Sequence, residues 1–420
     1  MKTRAVLLYG KNQLSLEEFE LPEPAEDELV AKIITDSVCM STYKAALLGE
    51  DHKRVPNDVA DNPIIIGHEF AGEIISVGDK WESTYSIGDK FSIQPNINHK
   101  GLGYAPGYSF PYFGGDATFI IIPNEVMENG FLLDYQGDAY YKASLAEPMS
   151  CIIAGFHATY HAQPETYELS MGAVPSGNMA ILAGVGPMGL GAIDYALHCD
   201  RKPGLLVVTD INNERLARAE RLLSVEKAAE QGVRLVYVDT AASDDAAADL
   251  MEISGGRGFD DVFVFAPVRQ VVEMGDAVLA DNGCLNFFAG PTDKKFSADF
   301  NFYNVHYART HIAGTSGGFT SDMSEALDMM AEGLINPSVM VTHIGGLNSA
   351  VETTLNLPKI PGGKKLIYTH IVMELTALDE LEEKGKDDPL FKGLAEIVDR
   401  NQGLWSAEAE SYLLSWFNVE

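Results

Sequence analysis

The sequence predicts an α/β protein in which an irregular β domain is joined to a doubly wound parallel sheet, with a helical segment after both. Three observations predict it. The first 150 residues carry short strand-like stretches at 4–9, 28–34, 72–77 and 117–123, separated by Gly, Pro, Asp and Asn. From about residue 179 the texture changes to apolar runs at 179–183, 205–209, 235–238, 261–265 and 283–288, alternating with helical stretches. Runs of that kind can be buried on both faces, which calls for a parallel sheet covered by helices on both sides. Third, Gly184, Gly186 and Gly189 lie directly between the first apolar run and a helix-compatible stretch at 190–198.

The remaining elements follow in chain order. With 420 residues the chain has room for two or three domains at roughly 150 residues each. Residues 1–11 read as a first strand, because the apolar run ending at Tyr9 is too short for the core of a signal peptide. After Gly290 strand and loop texture returns, with one helical segment at 322–333 and a last strand at 364–368, so the chain is expected to go back to its first domain. Residues 371–420 contain an acidic block at 378–388, an amphipathic stretch at 390–398 and the aromatic group Trp405, Tyr412, Trp416 and Phe417. That many aromatics point to helices docked on the body or on another subunit. The expected boundaries are 1–150 for the irregular β domain, 151–300 for the parallel-sheet domain, 301–370 for the return to the first domain and 371–420 for a helical extension.

Composition narrows the partners. With 61 acidic against 30 basic side chains the net charge is −31, a field that repels phosphate backbones and anionic head groups; neither nucleic acid nor membrane is expected. Hydrophobic residues at 46% and charged residues at 22% exclude wholesale disorder. No stretch approaches the ~18 continuous apolar residues of a membrane span. The four cysteines, Cys39, Cys151, Cys199 and Cys284, are scattered and suggest no disulfide framework, so a reducing cytoplasm is the expected compartment.

Gly184-Val185-Gly186-Pro187-Met188-Gly189 has the form G-x-G-x-x-G after a strand and ahead of a helix. Each glycine has a mechanical role: a tight turn, close approach of the backbone to a pyrophosphate, and close packing of helix on strand. The helix amides then hold the anion. Asp210 closes the next apolar run, where a carboxylate accepts hydrogen bonds from the adenosine ribose and repels a 2′-phosphate. NAD is therefore favoured over NADP, although Arg215 and Arg218 lie one or two helical turns further on and soften the preference.

Cys39 follows a strand-like stretch, His68 and Glu69 follow the apolar run 64–66, and Glu147 precedes Pro148. A thiolate, an imidazole and a carboxylate form the donor set of a catalytic zinc site, in which three protein ligands leave one position open. With Cys39-Met-Ser-Thr42, Gly67-His-Glu-Phe-Ala-Gly72, Gly88-Asp-Lys90, Gly114-Gly-Asp-Ala117, Glu147-Pro148 and the glycine motif, the chain resembles the zinc-dependent medium-chain dehydrogenases/reductases over about residues 1–370. The resemblance implies a GroES-like catalytic domain interrupted by a Rossmann domain, with a cleft that closes around the cofactor. It implies Cys39 and His68 as zinc ligands, with Glu69 and Glu147 sharing the carboxylate role; which of them reaches the metal directly stays open. Ser41 matches the hydroxyl that exchanges a proton with the substrate oxygen. Lys44 stands where many relatives relay that proton through a histidine, and an ammonium relays protons poorly at neutral pH. Many relatives also hold a second, structural zinc on four cysteines. The matching stretch 93–112 contains none, so one metal per chain is expected, with the loop held by Tyr104, Tyr108, Phe110 and Tyr112.

Within the family the resemblance runs closest to L-sorbose 1-phosphate reductases, through Thr35-Asp-Ser-Val-Cys-Met-Ser41, Asn62-Pro-Ile-Ile-Ile-Gly-His-Glu-Phe70 and Cys284-Leu-Asn-Phe-Phe-Ala-Gly-Pro291. It implies reduction of L-sorbose 1-phosphate to D-glucitol 6-phosphate by a reduced nicotinamide cofactor, and a homo-oligomer, dimer or tetramer. A phosphate on so acidic a protein needs cations beside the site. Lys44, His52, Lys53 and Arg54 are the first candidates, then His99 and Lys100, with His306 and Arg309 behind them. Two other readings remain: a polyol or amino-alcohol dehydrogenase acting on an unphosphorylated substrate, and a non-catalytic NAD-binding regulatory protein.

Overall fold

The strand Leu29–Val38 is buried along almost its whole length, apart from the half-buried Lys32. Such a run fits only the middle of a sheet, and it pairs antiparallel with Phe70–Val77, Phe119–Ile122 and Lys364–Tyr368. The computed structural model describes residues 1–96 and 103–419, and the chain divides into two units. The first comprises Met1–Pro148, Phe319–Gly333 and Val341–Glu420; the second comprises Met149–Gly318 and Leu334–Met340.

In the first unit an eight-stranded sheet is built around Leu29–Val38, and a separate three-stranded sheet, Gln13–Glu20, Lys2–Gly10 and Ile64–Ile65, shares its apolar cores. One apolar core gathers Leu29, Ile33, Phe70, Phe91 and Ile120; a second gathers Val6, Leu8, Val38, Ile66 and Ile367. The register of the large sheet brings distant parts of the chain to one place. Lys365 lies opposite Val38, and Asp36 lies opposite Phe70, so the start of one late strand and the residue after His68-Glu69 meet the same end of Leu29–Val38.

The second unit is a six-stranded parallel sheet in the order Arg234–Asp239, Leu205–Asp210, Asn178–Leu182, Phe259–Val264, Leu279–Phe287 and His311–Ala313. The strand order reverses at Asn178–Leu182, the switch point at which open sheets of this kind bind ligands. This unit runs on to Gly318, beyond the expected boundary at 300, because His311–Ala313 pairs with Cys284, Leu285 and Asn286 and adds a sixth strand. Three residues are too few to stand out as an apolar run. The helix expected at 322–333 forms as Thr320–Ala331 and belongs to the first unit.

Residues 371–420 are part of the first unit and carry the helices Leu381–Lys384, Pro389–Arg400 and Ala407–Trp416. Their anchor is polar at its centre. Trp405, 1% exposed, donates from Nε1 to the Tyr368 hydroxyl at 2.7 Å, and that hydroxyl donates to Glu410 Oε1 at 2.9 Å. The same carboxylate accepts from the Tyr140 and Tyr141 amides at 2.6 and 2.9 Å. None of the four cysteines is in a disulfide, and among the described residues no helix is long and apolar enough to cross a membrane.

Burial pushes the Glu410 carboxyl up to about 7, against the opposing hydrogen bonds from Tyr141, Tyr368 and Tyr140. A carboxyl raised in the folded chain contributes stability that is full below the ordinary value of 4.5 and is lost as the pH climbs toward 7. Glu410→Gln does not titrate there. Its stability deficit against the wild type, read from urea unfolding, should be larger at pH 5 than at pH 8.

Candidate active site

Leu29–Val38 ends one residue before Cys39, which has extended backbone and caps the helix Met40–Leu48; its Sγ accepts from the Ser41 amide at 3.5 Å. His68 and Glu69 sit where the chain enters Phe70–Val77. Gly67 permits the approach: its φ is +91°, and a Cβ there would lie 2.6 Å from the Asp116 nitrogen. The result is that ligand atoms of Cys39, His68 and Glu69 all lie within 4.8 Å of one another, and among the described residues no other trio of His, Cys, Asp or Glu does so. Tetrahedral zinc with bonds of 2.0–2.3 Å needs donors about 3.3–3.8 Å apart, which this spacing accommodates.

The protonation chemistry fits a metal as well. Burial, helped by the charge of Glu69, pushes the Cys39 thiol up to about 12, so a divalent cation is what would ionise it. Burial also pulls His68 down to about 4, leaving a neutral imidazole able to ligate. The Thr42 hydroxyl lies 3.1 Å from Nδ1 of His68, which leaves Nε2 for the metal.

Glu69 is 1% exposed and would be costly to ionise alone. Burial pushes its carboxyl up, but Lys364 beside it prevails and holds it below the usual range. Lys364 Nζ lies 2.6 and 2.5 Å from the two carboxylate oxygens, and the Ser37 hydroxyl donates to Oε2. Sequence reasoning missed Lys364 because 295 residues separate it from Glu69; the available signal was a pair of lysines opening a last strand that is buried throughout. Glu147 lies half-buried in the first turn of Ala146–Ala158, and its charge acts on Cys39 and on Tyr108. Ser41 is exposed and Lys44 half-buried on the helix that Cys39 caps.

The expected phosphate cations form a group. His52 stacks on Tyr108 with ring centroids 5.4 Å apart, and the Arg54 guanidinium lies 5.5 Å from the same ring. Arg54 also donates to Asn96 at 3.2 Å. Burial lowers the His52 pKa, and the charges of Arg54, Lys53 and Lys44 lower it further, so all four residues share one neighbourhood. His99 and Lys100 lie outside the described residues. His306 and Arg309 belong to the second unit, where Arg309 pairs with Asp281 at 3.2 Å. Of the loop aromatics, Tyr104, Phe110 and Tyr112 pack against other rings as expected. Tyr108 was expected only to pack, yet its hydroxyl lies 3.1 Å from Nδ1 and 3.4 Å from Nε2 of His68.

In the second unit the glycine motif has the mechanics its spacing predicts. Gly186 precedes the helix Pro187–His198, and nothing would lie within 4 Å of a Cβ there, which leaves room for a ligand. A Cβ on Gly189 would stand 2.1 Å from the Gly184 carbonyl oxygen, so only glycine lets helix and turn pack this closely. Val185 is buried, and Pro187 and Met188 are half-buried at the helix start. Asp210 Oδ1 accepts from the amides of Ile211 and Asn212 at 2.8 and 3.1 Å, fixing the carboxylate at its strand end. Arg215 is exposed, with its amide on the Asn212 side chain at 3.0 Å; Arg218 instead turns its guanidinium to the Val339 carbonyl at 3.4 Å.

Comparison with known proteins matches residues 25–128 to the alcohol dehydrogenase GroES-like domain and residues 187–332 to the zinc-binding dehydrogenase family. The chain is 50% identical to a mannitol-1-phosphate 5-dehydrogenase of Aliivibrio fischeri, over 100% of this chain and 99% of that one. It is also 50% identical to an L-sorbose 1-phosphate reductase of Klebsiella pneumoniae, over 98% and 97%. Among solved structures it resembles 2R,3R-butanediol dehydrogenase from Bacillus subtilis, with a TM-score of 0.70 at 20% identity, covering 87% of this chain and 99% of that one.

Removing one partner of a buried ion pair strands the other charge, at about 3–5 kcal/mol. Lys364→Met should lose stability of that order in denaturant unfolding, and most of the loss should return in the Lys364→Met, Glu69→Gln double variant.

Proposed function

The chain belongs to the zinc-binding dehydrogenase family, and from that premise we propose that it is an oxidoreductase moving hydride between a nicotinamide cofactor and a sugar phosphate. The observation that carries the substrate class is the cationic group of Lys44, His52, Lys53 and Arg54 gathered against Tyr108, whose hydroxyl touches the metal-ligand candidate His68. L-sorbose 1-phosphate and D-glucitol 6-phosphate are the pair proposed first, and D-mannitol 1-phosphate is the natural comparison.

A bound zinc supplies a Lewis acid for the carbonyl oxygen, and a bound reduced nicotinamide supplies the hydride. The chain's residues do the rest. Cys39 and His68 hold the metal. The carboxylate role falls to Glu69 or Glu147: Glu69 lies with Cys39 and His68, and both of its oxygens are also engaged by Lys364 and one by Ser37. Ser41, exposed to solvent, relays a proton from water to the oxygen of the reduced carbonyl, giving up its own hydroxyl proton as it takes one from solvent. Arg54 and His52, with Lys53 and Lys44 around them, take the phosphate dianion through charge-assisted hydrogen bonds. The opening amides of Pro187–His198 face the pyrophosphate and Asp210 the adenosine ribose, which supports NAD(H) over NADP(H). Arg218 is turned to Val339, which leaves Arg215, of the two arginines expected there, to tolerate a 2′-phosphate. The enzyme is proposed to be a cytoplasmic homo-oligomer.

Metal analysis of the purified protein should find one zinc per chain, lost in Cys39→Ser. A panel of phosphorylated and free ketoses and polyols, run with both nicotinamide cofactors, tests the substrate class; a zinc-free protein inactive on the whole panel would return the non-catalytic reading. A charge-assisted hydrogen bond contributes about 1.5–3 kcal/mol, so Arg54→Ala should raise KM for a sugar phosphate roughly 10–100-fold and leave a free polyol nearly unchanged. By the same magnitude Asp210→Ser should erode the preference for NADH over NADPH about tenfold or more.

A further inference from the structure

Tyr108 is 2% exposed, and its hydroxyl has a problem of proton accounting. Among the described residues it makes hydrogen bonds with the two ring nitrogens of His68. A histidine that ligates a metal through Nε2 carries its proton on Nδ1 and donates it, here toward Thr42 at 3.1 Å. Neither nitrogen then has a lone pair free to accept the phenol proton. A buried O–H without an acceptor costs about 1–3 kcal/mol, so in the metal-loaded protein that proton is directed to a group that arrives with the substrate.

The surroundings identify the group. Burial is the main reason the Tyr108 phenol is held above its ordinary range, and the charges of Cys39, Glu147 and Glu69 add to it. The hydroxyl therefore sits among the metal-ligand candidates, while the opposite part of the side chain, its ring, carries His52 and Arg54. One residue spans the reacting end of the substrate and its phosphate end.

Building on the proposed metal and phosphate sites, we infer that the Tyr108 hydroxyl donates a hydrogen bond to the substrate oxygen that gains negative charge as the carbonyl is reduced, while the Tyr108 ring holds His52 and Arg54 toward the phosphate. Tyr108 is then a catalytic residue additional to Ser41, in a chain whose relay position is Lys44. It occupies a stretch in which many relatives have cysteines for a structural metal. The hydroxyl sets the rate and the ring sets the preference for phosphorylated substrates.

Tyr108→Phe keeps the ring and removes the hydroxyl; Tyr108→Leu removes both. With zinc held at one per chain, Tyr108→Phe should lower kcat about 100-fold, in the range of other donors to a developing oxyanion, with KM for the sugar phosphate within twofold of wild type. Tyr108→Leu should add at least a tenfold rise in KM for the sugar phosphate and none for the free ketose. A second measurement does not need turnover: acetate, a carboxylate oxygen donor, titrated calorimetrically into zinc-loaded protein should bind Tyr108→Phe at least fivefold more weakly. Unchanged kcat and unchanged acetate affinity in Tyr108→Phe overturn the role of the hydroxyl, as does loss of zinc in that variant, which would make Tyr108 a support for His68 alone. If the wild type proves active only on unphosphorylated polyols, the phosphate assignment falls; the hydroxyl is then judged by kcat on that polyol and by acetate.

Discussion

The pairing of Glu69 with Lys364 is the constraint around which the first unit is organised. Two opposite charges at 2.5–2.6 Å, 1% and 8% exposed, attract strongly only because water is absent, and water is absent only because the surrounding strands close over them. Desolvating both ions costs several kcal/mol each, so such a pair contributes less to net stability than to uniqueness. Sliding Lys364–Tyr368 by a single residue moves Lys364 to the other face and puts in its place Gly363, which has no charge, or Lys365, which would have to leave the carbonyls of Ile360, Pro361 and Gly363. In this unit the accuracy of the metal-ligand arrangement is therefore a property of sheet register as much as of the loops that carry Cys39 and His68.

Parts of this architecture are local, and those were legible in the sequence. The glycine motif, the strand before it, the helix after it and Asp210 lie within about thirty consecutive residues, and the structure places them as the spacing demands. Cys39, His68 and Glu69 were legible as a donor set because their residue types are restrictive. What sequence could not supply was the partner of each. Lys364 looks like any lysine at the head of a strand until the strand order is known. Tyr108 sits in a loop full of aromatics, and only the fold separates it from Tyr104, Phe110 and Tyr112, which pack on other rings. Similarly, His311–Ala313 is too short to carry a period, so the end of the parallel sheet had no local signature.

The two relatives compared at half identity are named for different six-carbon phosphates, one a hexitol phosphate and one a ketohexose phosphate, which bears on how a common scaffold divides labour. On the proposed assignment, the metal-ligand candidate His68 and the phosphate candidates His52 and Arg54 meet on the side chain of Tyr108. Recognition of the anionic end would then belong to a short cationic run after Met40–Leu48, separate from stereochemical choice at the carbonyl. A change of sugar need not disturb either the ion pair behind Glu69 or the dinucleotide motif.

Strand geometry gives the terminal helices a role in this arrangement. Lys364 and Tyr368 are four apart on one strand and so share a face. The first holds Glu69; the second is gripped by Trp405 and Glu410. During synthesis Glu69 leaves the ribosome some three hundred residues ahead of its counter-ion, and further still ahead of the clasp that secures that strand. The ion pair behind Glu69 consequently closes only when translation is nearly finished.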